Sequence, residues 1–100
     1  NNNNILMEYI GHSMNVYNIK FNLYDDKTFI SCSSDWTIKL WNINCNKPII
    51  SYDLNNSIND IDWAPYSSTI FAGVTSNSKI FLFDLSKNKN KPIIEQKIKN

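Results

Sequence analysis

The chain of 100 residues can form one small domain, and its 42% hydrophobic and 13% aromatic content is ordinary for a folded protein. Its net charge of +1 gives no field that would hold nucleic acid or an anionic membrane, so neither is expected as a partner. No apolar run approaches the roughly 18 residues of a membrane span and no signal sequence opens the chain, which favours a cytoplasmic protein.

In chain order, short runs of alternating or β-branched residues are separated by polar turns, which is typical of β-strands. A polar leader precedes the first run, which stops at Gly11, and Pro48 stands at the entry of a later run, where a missing N–H is tolerated. No helix is predicted. We predict strands at 5–10, 16–21, 28–33, 37–42, 48–53, 58–63, 70–75, 79–84 and 92–98.

The central feature is a hairpin over residues 29–42. Its strands meet at Ser34-Asp35, where a short carboxylate can bond to nearby backbone N–H groups. A Gly11-His12 pair precedes this hairpin, and Trp41 follows the turn aspartate by six positions. Gly-His, a Ser-rich strand, Asp and then Trp within one unit resemble the signature of a WD40 repeat.

The second half of the chain repeats the first. Val16 and Ile58 begin matching strands 42 positions apart, within the 40 to 45 of WD repeats, and residues 29–41 return as 71–83 without a gap. Lys47-Pro48 recurs as Lys91-Pro92 after a loop that is two residues longer.

The expected fold is therefore all-β, a fragment of a WD40 β-propeller with about two four-stranded antiparallel blades plus the outer strand of a preceding blade. We assign 1–10 to that outer strand, 11–53 to one WD repeat and 54–100 to a degenerate WD repeat. Propellers need four to eight blades, so we expect a longer protein and two open blade faces.

The resemblance to WD repeats implies that four polar residues of the first repeat form a hydrogen-bonded structural tetrad: His12, Ser31, Asp35 and Trp41. Ser, His and Asp together also suggest a hydrolase, but Ser31 lies in mid-strand without a glycine-rich elbow or an oxyanion site. A metal at His12 is not expected either, because no second His or paired Cys lies at ligand spacing. Cys32 and Cys45 have no disulfide or zinc spacing and are expected to be free thiols.

The second repeat departs from this pattern. The Gly-His pair is replaced by Asp53-Leu54, and Gly73, Asn77 and Phe83 stand where Ser31, Asp35 and Trp41 would be. We therefore expect that repeat to depend on apolar packing of Ile58, Ile61, Trp63, Phe71, Val74, Ile80, Leu82 and Phe83.

Two longer strings, Phe29 to Trp41 and Trp63 to Ala72, resemble the WD-repeat region of dynein intermediate chains, of the axonemal outer-arm type, over about residues 11–96. Asn77-Ser78 departs from the Gly-containing turn usual in that family. The resemblance implies a non-catalytic scaffold subunit of a microtubule motor in the cytoskeleton of a cilium or flagellum. The implied partners are the dynein heavy chain and other intermediate and light chains, without a cofactor or small-molecule substrate.

By analogy with WD propellers, partner-binding residues are expected at one end of the sheets: Asn15, Tyr17, Ser34, Trp36, Ser57, Asn59 and Ser76. Tyr17 and Trp36 are the better candidates, because an exposed aromatic side chain is a common anchor of protein interfaces. The alternative function is a general WD40 adaptor that binds short peptides, as in ubiquitin ligases or chromatin complexes.

Overall fold

The structure, a computed structural model, describes residues 11, 12 and 14–98. The predicted strand at 5–10 and the predicted interval 1–10 lie outside the described residues. Within them the chain forms strands joined by turns and loops, with no helix that could cross a membrane.

The described residues form eight strands, and six of them have the bounds predicted from the alternation of apolar and polar residues. In chain order they are β1 (Val16–Phe21), β2 (Thr28–Ser33), β3 (Thr37–Asn42), β4 (Ile50–Asp53), β5 (Ile58–Trp63), β6 (Ile70–Thr75), β7 (Lys79–Asp84) and β8 (Ile94–Lys97).

The strands predicted for β4 and β8 both start too early, and the one predicted for β8 also ends too late. Pro48 and Pro92 have no N–H to donate to a ladder. The first backbone hydrogen bonds of these segments are donated by Ile49 N to Leu40 O and by Ile93 N to Leu82 O, each at 2.7 Å. Each paired strand starts one residue after these donors.

The strands form two four-stranded antiparallel sheets, a first sheet β1-β2-β3-β4 and a second sheet β5-β6-β7-β8. We call the end of both sheets that carries the turns 34–36 and 76–78 the hairpin end. The opposite end, called the loop end, carries the connections 22–27, 43–49, 64–69 and 85–93.

The core lies between the two sheets. Because side chains alternate along a strand, one face of the first sheet and one face of the second each present a continuous apolar surface. Tyr52 of β4 packs its ring against those of Phe71 and Phe83, at centroid distances of 5.9 and 4.6 Å. The buried cluster comprises Ile30, Cys32, Ile38, Leu40, Tyr52, Leu54, Ile58, Ile61, Trp63, Phe71, Phe81 and Phe83.

Eight apolar residues were expected to support the second repeat. Three of them are not in this cluster: Val74, Ile80 and Leu82. They are half-buried and lie on the opposite face of the second sheet, since their neighbours Phe81 and Phe83 point into the core. The other five, together with Leu54 and Phe81, supply the packing of the second repeat against the first sheet.

Polar bonds also join the sheets along β1 and β5. The indole Nε1 of Trp63 donates to the carbonyl oxygen of Lys20 at 2.9 Å, and Asn18 Nδ2 donates to Asp60 Oδ1 at 2.7 Å. Asn22, at the start of the next loop, donates to Ser68 O at 2.8 Å. These hydrogen bonds join the second sheet to the first, both between the strands β1 and β5 and between the loops that follow them.

On the opposite face of the first sheet, the apolar side chains of β1 are exposed, although Phe29 and Trp41 on the same face are buried. Ile19 and Phe21 are 52% and 55% exposed, whereas Ile61 and Trp63, at the matching positions of the second sheet, are 2% and 4% exposed. The same positions are thus buried in the second sheet, which packs against the first.

Candidate functional site

The described polar cluster with the most bonds lies in the first sheet, beside the hairpin turn. Nδ1 of His12 lies 2.9 Å from Oδ2 of Asp35, and its Nε2 lies 2.6 Å from Oγ of Ser31. The indole Nε1 of Trp41 lies 2.8 Å from the same Oγ. The side chains of His12 and Asp35 are 5% and 8% exposed. The structure therefore brings all four predicted tetrad residues into one buried chain of bonds.

The direction of these bonds follows from Trp41, because an indole N–H can only donate. Ser31 Oγ accepts that proton and donates its own to His12 Nε2. His12 Nδ1 then carries the ring hydrogen and donates it to Asp35, an assignment that rests on this set of partners. Each of these buried polar groups therefore has a hydrogen-bond partner, which it would otherwise lack away from water.

Thr37 is a fifth member that the sequence analysis missed. Its hydroxyl donates to Asp35 Oδ1 at 2.5 Å and lies 3.1 Å from His12 Nδ1, while its backbone N–H donates to the same Oδ1 at 3.1 Å. Ser33 Oγ accepts the N–H of Asp35 at 3.1 Å. Asp followed two positions later by Thr is a local signal for such a side-chain turn and could have pointed to Thr37.

This cluster has no free nucleophile. The Ser31 hydroxyl is buried, accepts one bond and donates another, and no described buried side-chain nitrogen or oxygen lacks a partner. Within residues 11, 12 and 14–98, no group of three or more His, Cys, Asp or Glu side chains is placed to hold a metal. The arrangement supports the turn rather than chemistry.

Gly11 is required by a close approach. A Cβ placed at Gly11 would lie 2.9 Å from Cη2 of Trp41 and 3.2 Å from Cδ of Lys39. The Gly-His pair therefore lies directly over the third strand, which is how His12 reaches Ser31.

The second sheet has apolar side chains at two of the four matching positions, with Gly73 and Asn77 at the others. Leu54, in place of His12, is 9% exposed and belongs to the core cluster, and Phe83 stacks on Phe71 at 4.7 Å. A Cβ at Gly73 would lie 2.6 Å from Cδ1 of Ile38. Ile38 of the first sheet thus fills the space that a serine side chain would need.

The predicted partner-binding residues all lie at the hairpin end. Ser34 N donates to Asn15 O at 3.3 Å, and Ser76 N donates to Ser57 O at 2.9 Å, so matching pairs lie together in both sheets. Asn15, Asn59 and Ser76 are exposed, whereas Ser34 and Ser57 are half-buried.

A β-bulge in each sheet changes the direction of the side chain at one of these positions. The pairing of β1 with β2 is irregular between Val16 and Asn18, and that of β5 with β6 is irregular between Ile58 and Asp60. The residue left without a ladder partner is Tyr17 in one sheet and Asn59 in the other. A bulge turns its side chain away from the regular alternation, and Tyr17 is 55% exposed.

The turn residue Trp36 is 47% exposed and has a φ of 76°, a left-handed conformation that bulky residues rarely adopt. Ser78 has a φ of 66° at the matching position, so the turn with Asn77-Ser78 has the same backbone form although neither turn contains glycine. A strained, exposed tryptophan at the hairpin end is a candidate functional residue.

Two buried titratable groups lie at the contact between the sheets. Burial, with a smaller contribution from the charge of Asp60, raises the pKa of the Cys32 thiol to about 11. Burial likewise raises the pKa of Tyr52 to about 12, and its hydroxyl donates to Lys89 O at 2.5 Å. Cys45, by contrast, is an exposed free cysteine.

Comparison with known proteins adds the family. The family of the WD domain, G-beta repeat, matches residues 3–42 and 46–84. The chain is 47% identical over 88 residues to "Dynein intermediate chain 2, ciliary" of Heliocidaris crassispina, which covers 87% of the chain and 12% of that relative.

Two further relatives agree. The chain is 46% identical over 94 residues to "Dynein axonemal intermediate chain 1" of Bos taurus, covering 89% of the chain and 13% of the relative. It is 33% identical over 96 residues to "Dynein, 78 kDa intermediate chain, flagellar outer arm" of Chlamydomonas reinhardtii, covering 93% and 14%. It thus spans about an eighth of the length of these relatives. With two matched repeats and two four-stranded antiparallel sheets, the chain belongs to the WD-repeat family, and the relatives that share most of its length are ciliary and axonemal dynein intermediate chains.

Proposed function

We propose that this chain is the WD-repeat region of an axonemal dynein intermediate chain, a non-catalytic subunit that docks on the dynein heavy chain within a cilium or flagellum. The observation that carries the proposal is the 47% identity to a ciliary dynein intermediate chain over 87% of the chain. The other intermediate and light chains of the motor are the further expected partners.

We propose the hairpin end as the docking surface. Two features support this choice: the bulges that present Tyr17 and Asn59, and the exposed Trp36 on a strained turn. Aromatic side chains held by a rigid backbone lose little entropy on binding, so they make effective anchors. The buried tetrad, with Thr37, stabilises the turn that carries Trp36.

Affinity purification of the tagged full-length protein from ciliated cells tests the proposal. Recovery of dynein heavy and light chains is expected. Tyr17→Ser and Trp36→Ser are each expected to reduce heavy-chain recovery about tenfold, as loss of an anchor residue does. Ile49→Ser is the matched control, because Ile49 and Tyr17 are both 55% exposed but Ile49 lies at the loop end.

Ubiquitin-ligase or chromatin subunits recovered in place of dynein chains would support the adaptor function and overturn the proposal. Heavy chain recovered equally by wild type, Tyr17→Ser and Trp36→Ser would keep the dynein assignment but exclude the hairpin end as the docking surface. Imaging of the tagged protein adds an independent readout, and absence from the axoneme would also contradict the proposal.

A further inference from the structure

We propose a second interaction surface, at the loop end, that binds an acidic protein segment carrying an apolar residue. The surface consists of Tyr66 and the lysines Lys87, Lys89 and Lys91, and we call it the Tyr-Lys surface. It lies at the end of the sheets opposite Tyr17 and Trp36, so it does not depend on the docking surface proposed above.

The lysines lie on a loop whose backbone is held in place. Asp84 is 5% exposed and its Oδ1 accepts the N–H and hydroxyl of Ser86 at 3.0 and 2.6 Å. The N–H groups of Lys87 and Asn88 both donate to Asp84 O at 3.0 Å. Tyr52 donates to Lys89 O at 2.5 Å. The backbone is therefore ordered before any partner arrives, which lowers the entropy cost of binding.

The charges of this loop are only partly balanced by a nearby acid, Asp84, whose charge interacts with that of Lys87. Residues 86–93 contain three lysines and no acidic residue, and all three lysines are exposed. Among the described residues, none of them forms an ion pair. The carboxylate of Asp84 is turned into the fold, where its bonds to Ser86 and Thr69, with a smaller contribution from the charge of Lys87, lower its pKa and keep it ionised.

The first sheet provides an internal comparison. Its matching loop, 43–49, is two residues shorter and carries only Lys47, the counterpart of Lys91. The extra length of the second loop therefore comes with Lys87 and Lys89. Charge is concentrated on one of two otherwise matching loops.

Tyr66 lies on the neighbouring loop of the same sheet. The two loops are tied together, because Leu85 N donates to Thr69 O at 2.9 Å and Thr69 Oγ1 donates to Asp84 Oδ1 at 3.1 Å. Two strand spacings separate them, about 10 Å. A short extended segment can therefore contact Tyr66 and the lysines together.

The exposure of Tyr66 is not caused by the absence of a following sheet. Tyr24, its counterpart in the first sheet, has the second sheet beside it and donates its hydroxyl to Pro65 O, yet it is still 59% exposed. Tyr66 itself is 75% exposed, and it lines a groove of about 420 Å³ with Tyr24, Ser67 and Ser68. This position remains open to solvent when a neighbouring sheet is in place.

Charge complementarity decides the occupant. Lysines spaced two apart beside an exposed ring fit a segment with alternating carboxylates and one apolar side chain. The acidic residues of the loop end, Asp25 and Asp26, lie in the first sheet, and Asp25 is bonded to Lys27 N and Thr28 Oγ1. We therefore place the partner's carboxylates over the lysines. A net charge of +1 and a single cationic loop favour such a segment over a nucleic acid or membrane.

Fluorescence anisotropy of the full-length protein with a labelled polyglutamate peptide carrying one central leucine tests the proposal. Changing Lys87, Lys89 and Lys91 together to Gln is expected to weaken binding about tenfold at low salt, and Tyr66→Ser about threefold. Added salt is expected to weaken wild-type binding to the level of the lysine variant. All four side chains are exposed, so the variants are expected to fold, which circular dichroism checks.

Lys47→Gln is the matched control, expected to change the affinity less than twofold. Equal affinities of wild type and the triple lysine variant would overturn the proposal, as would an equal loss in Lys47→Gln. Tighter binding of phosphatidylserine vesicles or of polyuridine RNA than of the peptide, abolished by the same triple change, would assign the surface to a lipid or a nucleic acid and would also overturn it.

Discussion

The two sheets share strand order, bulge position and turn backbone, but they fill four matching positions with opposite chemistry. The first sheet has a buried relay of His12, Ser31, Asp35 and Trp41. The second has two apolar residues, a glycine and an amide at these positions, and Ile38 of the first sheet packs into the space above the glycine. The comparison teaches that the same strand order and turn backbone can be supported either by a buried polar relay or by apolar packing against the neighbouring sheet.

The largest effect is expected for Ser31→Ala in the first sheet. The change leaves the Trp41 indole N–H and the His12 Nε2 buried without their partner, at about 1–3 kcal/mol for each group. We expect a loss of about 3 kcal/mol in the free energy of unfolding, measured by urea denaturation of the full-length protein. Ser68→Ala, at an exposed loop position, is the control, and equal losses in the two variants would contradict a special role of the relay.

The next effect is expected for Gly73→Ala in the second sheet. The new Cβ would lie 2.6 Å from Cδ1 of Ile38, which is fully buried, so the Ile38 side chain would have to shift within a packed core. Overpacking of this kind costs about 1–3 kcal/mol. Urea denaturation measures it, and the double variant Gly73→Ala with Ile38→Val should recover part of the loss. No recovery would mean that Ile38 is not the cause.

A smaller effect of opposite sign is expected for Trp36→Gly. Glycine removes the strain of the left-handed turn residue and should raise the free energy of unfolding by about 1 kcal/mol. Recovery of the heavy chain should fall in the same variant. Ser78→Gly is the matched control, since it relieves the same backbone conformation without removing an aromatic ring. An unchanged heavy-chain recovery in Trp36→Gly would exclude Trp36 as an anchor.

The smallest effect concerns the thiols and pH. Cys32 is buried, and its folded pKa of about 11 lies above the ordinary 9.0, so the unfolded chain ionises first as pH rises. The contribution of the neutral thiol to stability is therefore present below pH 9 and is lost progressively between pH 9 and about 11. Alkylation followed by mass spectrometry should label Cys45 in the folded protein and Cys32 only after unfolding. Equal labelling rates would contradict this.

The strands could be predicted because alternation and the 42-residue repeat are local in sequence. Six of the eight have the predicted bounds. The starts of β4 and β8 differ from the prediction, because the prolines before these strands have no N–H to donate to a ladder. The outward position of Val74, Ile80 and Leu82 depends on which face meets the first sheet, and this is a tertiary property.

The polar residues of the first sheet were found through their resemblance to a known repeat, whereas Thr37 was missed because threonine is also an ordinary strand residue. The reason for Gly73 could not be predicted, because the side chain that requires it belongs to the other sheet. The left-handed turn at Trp36 was likewise missed, since tryptophan gives no sequence signal for a positive φ.

The close approach of Gly11 to Trp41 restricts how one kind of repeat can evolve into the other. A Cβ at position 11 would lie 2.9 Å from the far edge of the indole, so the glycine cannot be replaced unless the tryptophan shifts. In the second repeat both have changed, to Asp53 and Phe83. We therefore expect a Gly-Phe pair to be tolerated better than an Asp-Trp pair at these two positions.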